Sequence, residues 1–313
     1  MHGKARRCSS QETYMRLIQH RIPLLVLIAI FISQVPACKT KQPSIEQDKA
    51  DSSYNAQISA LNFVQQGIEK AQKGDYKGAI ADYSEALRIE PNYAQAYYNR
   101  GIDYSNLGNV QGAIADFTEA LKINANFDEA YDKRGTIRLQ MGDIEGAIAD
   151  FTEALKIEPN LALAYYNRGL AYSQSGEGKR AIADFTKALQ LDPNSAQVYV
   201  NRGNIRFQMG DSSGAIADYS EAIKINPNDA QAYNNLCLVR LSLGDREGAI
   251  AECTEALKLD PNLALAYYNR GMARDKLGET GSAIADFQKA ADLFRQEGNM
   301  DYYQEALKEI QRL

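Results

Sequence analysis

The chain has 313 residues, 45% of them hydrophobic and 24% charged, which sets it among folded globular proteins and apart from low-complexity chains. Its formal net charge of −5 excludes a broad phosphate-binding face as the main working surface, so nucleic acid is not an expected partner. The only two histidines, His2 and His20, lie near the N-terminus, and a chain without that leader has no imidazole for acid–base catalysis, nucleophile activation or metal binding.

The leader carries Lys4, Arg6, Arg7, Arg16 and Arg21 ahead of an apolar run at 22–32, IPLLVLIAIFI. That run is well short of the roughly 20 residues that span a bilayer as a helix. A basic start, a short apolar centre and small residues before a break describe a secretory signal over 1–37. An uncleaved anchor helix is the competing reading, and Met15 is an alternative start. Val35, Pro36, Ala37 and Cys38 resemble the lipobox of bacterial lipoproteins, although Pro36 stands where a small residue is usual. The resemblance implies lipid attachment at Cys38; an ordinary cleaved signal leaves Cys38 unmodified. Residues 38–59 are polar and largely without helical apolar periodicity, and are expected to form a flexible tether. Such a chain spans about 25 Å r.m.s..

From Ala60 the sequence recurs every 34 residues, and seven copies fit without gaps: 60–93, 94–127, 128–161, 162–195, 196–229, 230–263 and 264–297. Each copy predicts two amphipathic helices. Tyr97, Gly101 and Tyr104 share one face of the first, and Ala113, Phe117 and Ala120 one face of the second. Gly108 and Asn109 break the chain between them. Pro91, Pro159, Pro193, Pro227 and Pro261 end their units, since proline cannot continue a helix. Residues 298–313 begin with Gly298 as a helix stop and continue as a capping helix. Its inner face is Tyr303, Ala306, Leu307 and Ile310, with Asp301, Gln304, Glu305, Lys308 and Gln311 toward water.

Within a unit an aromatic falls at position 4, a small residue at 8, alanine at 20 and 27, an aromatic at 24 and proline at 32. This pattern resembles the tetratricopeptide-repeat (TPR) family. Ala125 and Arg295 replace the proline, Cys237 the glycine at 8 and Cys253 the aromatic at 24. The resemblance implies an all-α, right-handed superhelical solenoid whose concave groove is lined by the first helices. In that groove, position 6 supplies Asn99, Asn167, Asn201, Asn235 and Asn269, with Gln65 and Lys133 in the remaining copies. Position 5 supplies Tyr98, Tyr166 and Tyr268, with Val64, Asp132, Val200 and Asn234 between them. A side-chain amide offers a donor and an acceptor to a peptide bond whatever the side chains beside it. Tyrosine adds rigid contact area. The same row also reads as plain solvated helix surface, because repeats copy their surface residues.

No lysine stands at position 5, so the clamp with which cochaperone TPR proteins hold a terminal carboxylate is not expected. Arginines recur at position 7 and aspartates at 23; a cationic groove is one reading, and pairing of each arginine with an aspartate of a second helix is the favoured one. Cys237 and Cys253 sit on paired helices of one unit, able to bond in an oxidising compartment or to stay as two buried thiols, which their small-residue positions favour. No phosphate loop, nucleophile elbow or metal-ligand spacing interrupts the repeat. The expected protein is a non-catalytic scaffold resembling bacterial TPR lipoproteins, extracytoplasmic and anchored in a membrane through its lipid or signal. It is expected to bind proteins or peptides during assembly or turnover, with no cofactor, metal, nucleic acid or small-molecule substrate. The alternative is a soluble cytoplasmic adaptor with a different N-terminus.

Overall fold

Glycine followed by an acid or amide decides where the two helices of each unit part. Gly108 has φ 75°, a left-handed conformation in which a Cβ would touch nothing, so the demand for glycine there is conformational. The next residue, Asn109, accepts a hydrogen bond from the Gly112 N–H at 3.0 Å and so caps the second helix. Asp75, Asp143, Asp211 and Asp245 do the same in their units.

A computed structural model describes residues 45–313, with side chains from Tyr54 onward. The leader, its apolar run and Cys38 lie outside the described residues. The chain divides into two units, 1–54 and 55–313, and the second holds the repeats. The described residues form fifteen helices and no strand: α1 Ile45–Gln72, α2 Tyr76–Ile89, α3 Ala94–Asn106, α4 Val110–Ile123, α5 Asp128–Gln140, α6 Ile144–Ile157, α7 Ala162–Gln174, α8 Gly178–Leu191, α9 Ala196–Gln208, α10 Ser212–Ile225, α11 Ala230–Ser242, α12 Arg246–Leu259, α13 Ala264–Lys276, α14 Thr280–Gln296 and α15 Met300–Arg312. Odd-numbered helices through α13 are the first helices of the units and even-numbered ones the second. From α2 onward each helix packs on its neighbours in chain order, and Ala60 and Val64 of α1 pack on Ala79 and Tyr83 of α2, as in an all-α TPR solenoid. The capping helix α15 buries Ala306 and half-buries Tyr303, Leu307 and Ile310, as its spacing predicts.

Helix α1 begins at Ile45, inside the stretch read from sequence as a flexible tether. No glycine or proline interrupts 45–66, and Glu46, Gln47, Lys49 and Ala50 are good helix formers. Once the following turns are docked, each residue added in front gains a hydrogen bond without a new nucleus. Missing apolar periodicity argued against burial, and not against helix.

The helices of a unit meet where glycine faces a ring. A Cβ on Gly101 would lie 2.9 Å from Cε1 of Phe117, and one on Gly169 2.7 Å from Cε1 of Phe185. Beside this contact runs an ionic tie. Arg100 donates to both carboxylate oxygens of Asp116 at 2.7 and 2.9 Å, and to Ser84 Oγ of the preceding unit at 2.9 Å. Arg134, Arg168, Arg202 and Arg270 repeat this with Asp150, Asp184, Asp218 and Asp286, and with Thr118, Thr152, Thr186 and Thr254. All five of these aspartates are buried. The arginines are therefore spent on structure and do not make a cationic groove.

The sixth unit, 230–263, differs at all four positions. Leu236 and Glu252 stand in place of the arginine and aspartate, and Cys237 and Cys253 in place of the glycine and ring. Cys237 and Cys253 form a disulfide, with Cα atoms 5.4 Å apart, in place of two free thiols. The reason is the close approach itself: where a ring normally rests on a bare Cα, two short side chains are brought within bonding range. A covalent link thus stands one residue along from the missing ionic one. Reduction of the intact protein is expected to lower its thermal unfolding midpoint, by the equivalent of about 3 kcal/mol on the loop-entropy account. The double variant Cys237→Gly/Cys253→Phe, which restores the packing of the other units, is expected to show no response to reductant.

Asp103 breaks a different rule. Its position in the other units holds Glu69, Ile137, Ala171, Ile205, Val239 and Ala273, yet Asp103 is only 2% exposed. Burial pushes its pKa from 3.8 up to about 6, against a smaller opposing effect of the Asn106 hydrogen bond. The folded state then holds this proton where the unfolded chain has released it, so its ionisation destabilises the fold as pH rises from 3.8 to about 6. Asp103→Ala is expected to be more stable than wild type at pH 7. In urea titrations the advantage is expected to shrink as pH falls through that window.

Candidate functional site

Successive first helices meet at several points: α5 touches α7, α9 touches α11 and α11 touches α13, Asn201 of α9 bonds to Tyr166 of α7, and Tyr98 of α3 packs on Phe127 just ahead of α5. The three tyrosines expected in the groove are half-buried, each packed on the ring at position 24 of its own unit. Ring centroids are 5.7 Å apart for Tyr98 and Phe117, 6.0 Å for Tyr166 and Phe185, and 5.5 Å for Tyr268 and Phe287. The rings are therefore fixed walls. Burial raises the pKa of Tyr166 and Tyr268 above the ordinary tyrosine value.

The five asparagines are not equivalent. Asn99 accepts from Gln95 Nε2 at 2.9 Å, and its own side-chain N–H groups donate to no described residue. Asn167 is half-buried and makes no side-chain hydrogen bond to any described residue. Asn201 donates to Tyr166 Oη at 3.0 Å. Asn235 donates to Asn204 Oδ1 at 3.1 Å, which also accepts the Tyr219 hydroxyl at 2.7 Å.

Asn269 departs furthest from expectation. It is 8% exposed and donates to Asn234 Oδ1 at 3.0 Å, so it is a buried inter-repeat tie and not an open groove residue. The cause lies in the neighbouring unit. At two junctions the amide 35 residues beyond a neutral polar group at position 5 bonds to it, Asn201 to Tyr166 and Asn269 to Asn234. Sequence reasoning named Asn234 without giving it a role and passed over Asn204. The signal that points to the Asn234 tie is an amide at both i and i+35, one residue beyond the repeat length.

The C-terminal end of the row is covered. Tyr302 of α15 meets the Tyr268 ring edge-on at 6.4 Å and stacks on Phe294 at 5.1 Å. Arg312 pairs with Asp275 of α13 at 2.7 Å. Among the described residues no group of His, Cys, Asp and Glu could hold a metal ion, and no helix is long and apolar enough to cross a membrane.

Comparison with known proteins agrees with this architecture. The TPR repeat model matches residues 67–108, 135–176, 203–244 and 238–278. Two models of the tetratricopeptide repeat match 94–127 and 162–195, and 264–297. The chain belongs to the tetratricopeptide-repeat family. A crystal structure of a tetratricopeptide repeat protein from Parabacteroides merdae ATCC 43184 is similar at 22% identity, over 80% of this chain and 99% of that one, with a TM-score of 0.57. That of a MamA protein is similar at 28% identity over 55% of this chain and 94% of that one, TM-score 0.52. YrrB, described as a TPR protein with an unusual peptide-binding site, is similar at 23% identity over 61% of this chain and 97% of that one, TM-score 0.53. No curated protein sequence matches the chain.

The two kinds of asparagine are separable by mutation. Asn269→Ala leaves a buried acceptor on Asn234 without its donor and is expected to cost about 1–3 kcal/mol in denaturant unfolding. Asn167→Ala removes no bond within the protein and is expected to stay within about 0.5 kcal/mol of wild type.

Proposed function

We propose that this protein is a non-enzymatic scaffold that holds extended segments of partner proteins along its first helices, tethered to a membrane and outside the cytoplasm. The observation that carries the binding reading is the uncommitted amide of Asn167, with the unused N–H donors of Asn99, on a surface whose tyrosine walls are already fixed. Such amides pair with a polypeptide backbone and ask little of its side chains. Preset rings reduce the ordering cost of binding. Membership of a repeat family whose stacked units present extended surfaces supports the same reading.

The extracytoplasmic tether rests on the signal-like leader over 1–37, on Cys38 in a lipobox-like setting, and on the Cys237–Cys253 disulfide, a bond that persists in oxidising compartments. A photo-crosslinking residue placed at Asn99 in cells is expected to capture a polypeptide, whereas one at Lys122 on the second helix is not. Equal capture from both positions, or from neither, would sink the groove reading. Labelling with a lipid precursor is expected to mark the wild type and not Cys38→Ala; an unlabelled, soluble wild type would end the tether.

A further inference from the structure

We propose that the row receives a lysine or arginine side chain of its bound segment at Asp132, with the segment's backbone held by Asn99 and Asn167 on either side. The proposal rests on the reading that the row binds an extended segment, and adds the chemistry of that segment.

The tie between position 5 of one unit and position 6 of the next is made by Tyr166 with Asn201 and by Asn234 with Asn269. Between the third and fourth units the same two positions hold Asp132 and Asn167, and no hydrogen bond joins them. Asp132 Oδ1 is shut off from water and has no hydrogen-bond partner. Oδ2 has only the Lys133 ammonium at 3.6 Å, beyond hydrogen-bond length, and the Asp132 side chain is 14% exposed. A carboxylate so placed has lost water at Oδ1 without gaining a donor there, so its charge is under-compensated and favours a cation at the part of the side chain that stays exposed.

The chemistry selects what can. A ligand carboxylate is repelled by Asp132 and by Asp128 and Glu129 on the same helix. A neutral amide supplies donors without charge. An ammonium or guanidinium supplies several donors and the compensating charge together. Tyr98 and Tyr166 hold position 5 in the units to either side, and their packed rings suit the aliphatic stem and cationic head of such a side chain. Lys133 is the internal competitor; at 45% side-chain exposure it can yield to a ligand and swing into water.

The rest of the row fixes the extent of the segment. Asn235 and Asn269 are spent within the protein, and α15 covers Tyr268. Touching first helices lie about 8–10 Å apart, and an extended chain rises about 3.3 Å per residue. One unit therefore matches about three residues, and the basic side chain falls near the middle of about six.

The test is selection of a displayed random-peptide library on the intact, oxidised protein. Wild type is expected to enrich lysine or arginine at one position, and Asp132→Asn to lose that enrichment while melting no lower than wild type. A selected peptide is expected to bind Asp132→Asn about tenfold more weakly, whereas its norleucine analogue binds both proteins alike. Lys133→Ala is expected to tighten the basic peptide, and Asn235→Ala to leave it unchanged. Peptides that bind without basic enrichment, or with enrichment that survives Asp132→Asn, overturn the inference and leave the scaffold reading standing. Failure to select any peptide overturns both.

Discussion

The buried pairing of an arginine on each first helix with an aspartate on the second is the constraint around which the array is organised. A bidentate guanidinium fixes both the distance and the rotation between the two helices, which apolar packing alone leaves looser. Its third contact, to a serine or threonine of the preceding unit, extends the constraint across the junction between repeats. Such a pair is not an obvious gain in stability over well-packed apolar residues. Its value is geometric: five copies impose one relation between helices five times. In the first unit, where position 7 is Gln66, the buried Asp82 is met by Lys70 at 2.6 Å.

Against this regular frame the departures are informative because they come in compensating sets. Cysteine at the glycine position is compatible with the fold only because the ring opposite it has also gone, and the loss of the ring is tolerated because the two cysteines then bond. The two cysteines of the sixth unit are therefore one change. Asp103 shows the opposite case, an acid placed where every other unit but the first has an apolar residue, with its ionisation working against the fold.

The helix pairs and their stacking are legible in the sequence because seven copies state the same pattern of glycine, alanine and ring. The arginine–aspartate pairing is legible for the same reason, since two residue types that recur in step have to meet. What remains hidden is whatever depends on two different units at once. That Asn269 is closed depends on Asn234 in the unit before it, a comparison that aligning each unit with the next does not make. The start of α1 is hidden for another reason: polarity reports on burial, and a helix extended from a docked one needs none. The disulfide is hidden because residue type carries no distance.

The sixth unit has one further consequence. Five junctions between successive units are crossed by an arginine reaching a hydroxyl, but Leu236 reaches nothing on Ser220, whose hydroxyl donates to its own helix at Ile216. Between the fifth and sixth units that bridge is absent, and the Asn204, Tyr219 and Asn235 cluster takes its place with uncharged hydrogen bonds. The disulfide does not help there, since both of its cysteines belong to the same unit. Leu236 instead packs, 3% exposed, in an apolar cluster with Tyr219 and Ala222 of the fifth unit. This junction is closed by apolar packing where the others carry a charged bridge, and the disulfide-locked unit meets its predecessor through a hydrocarbon seam.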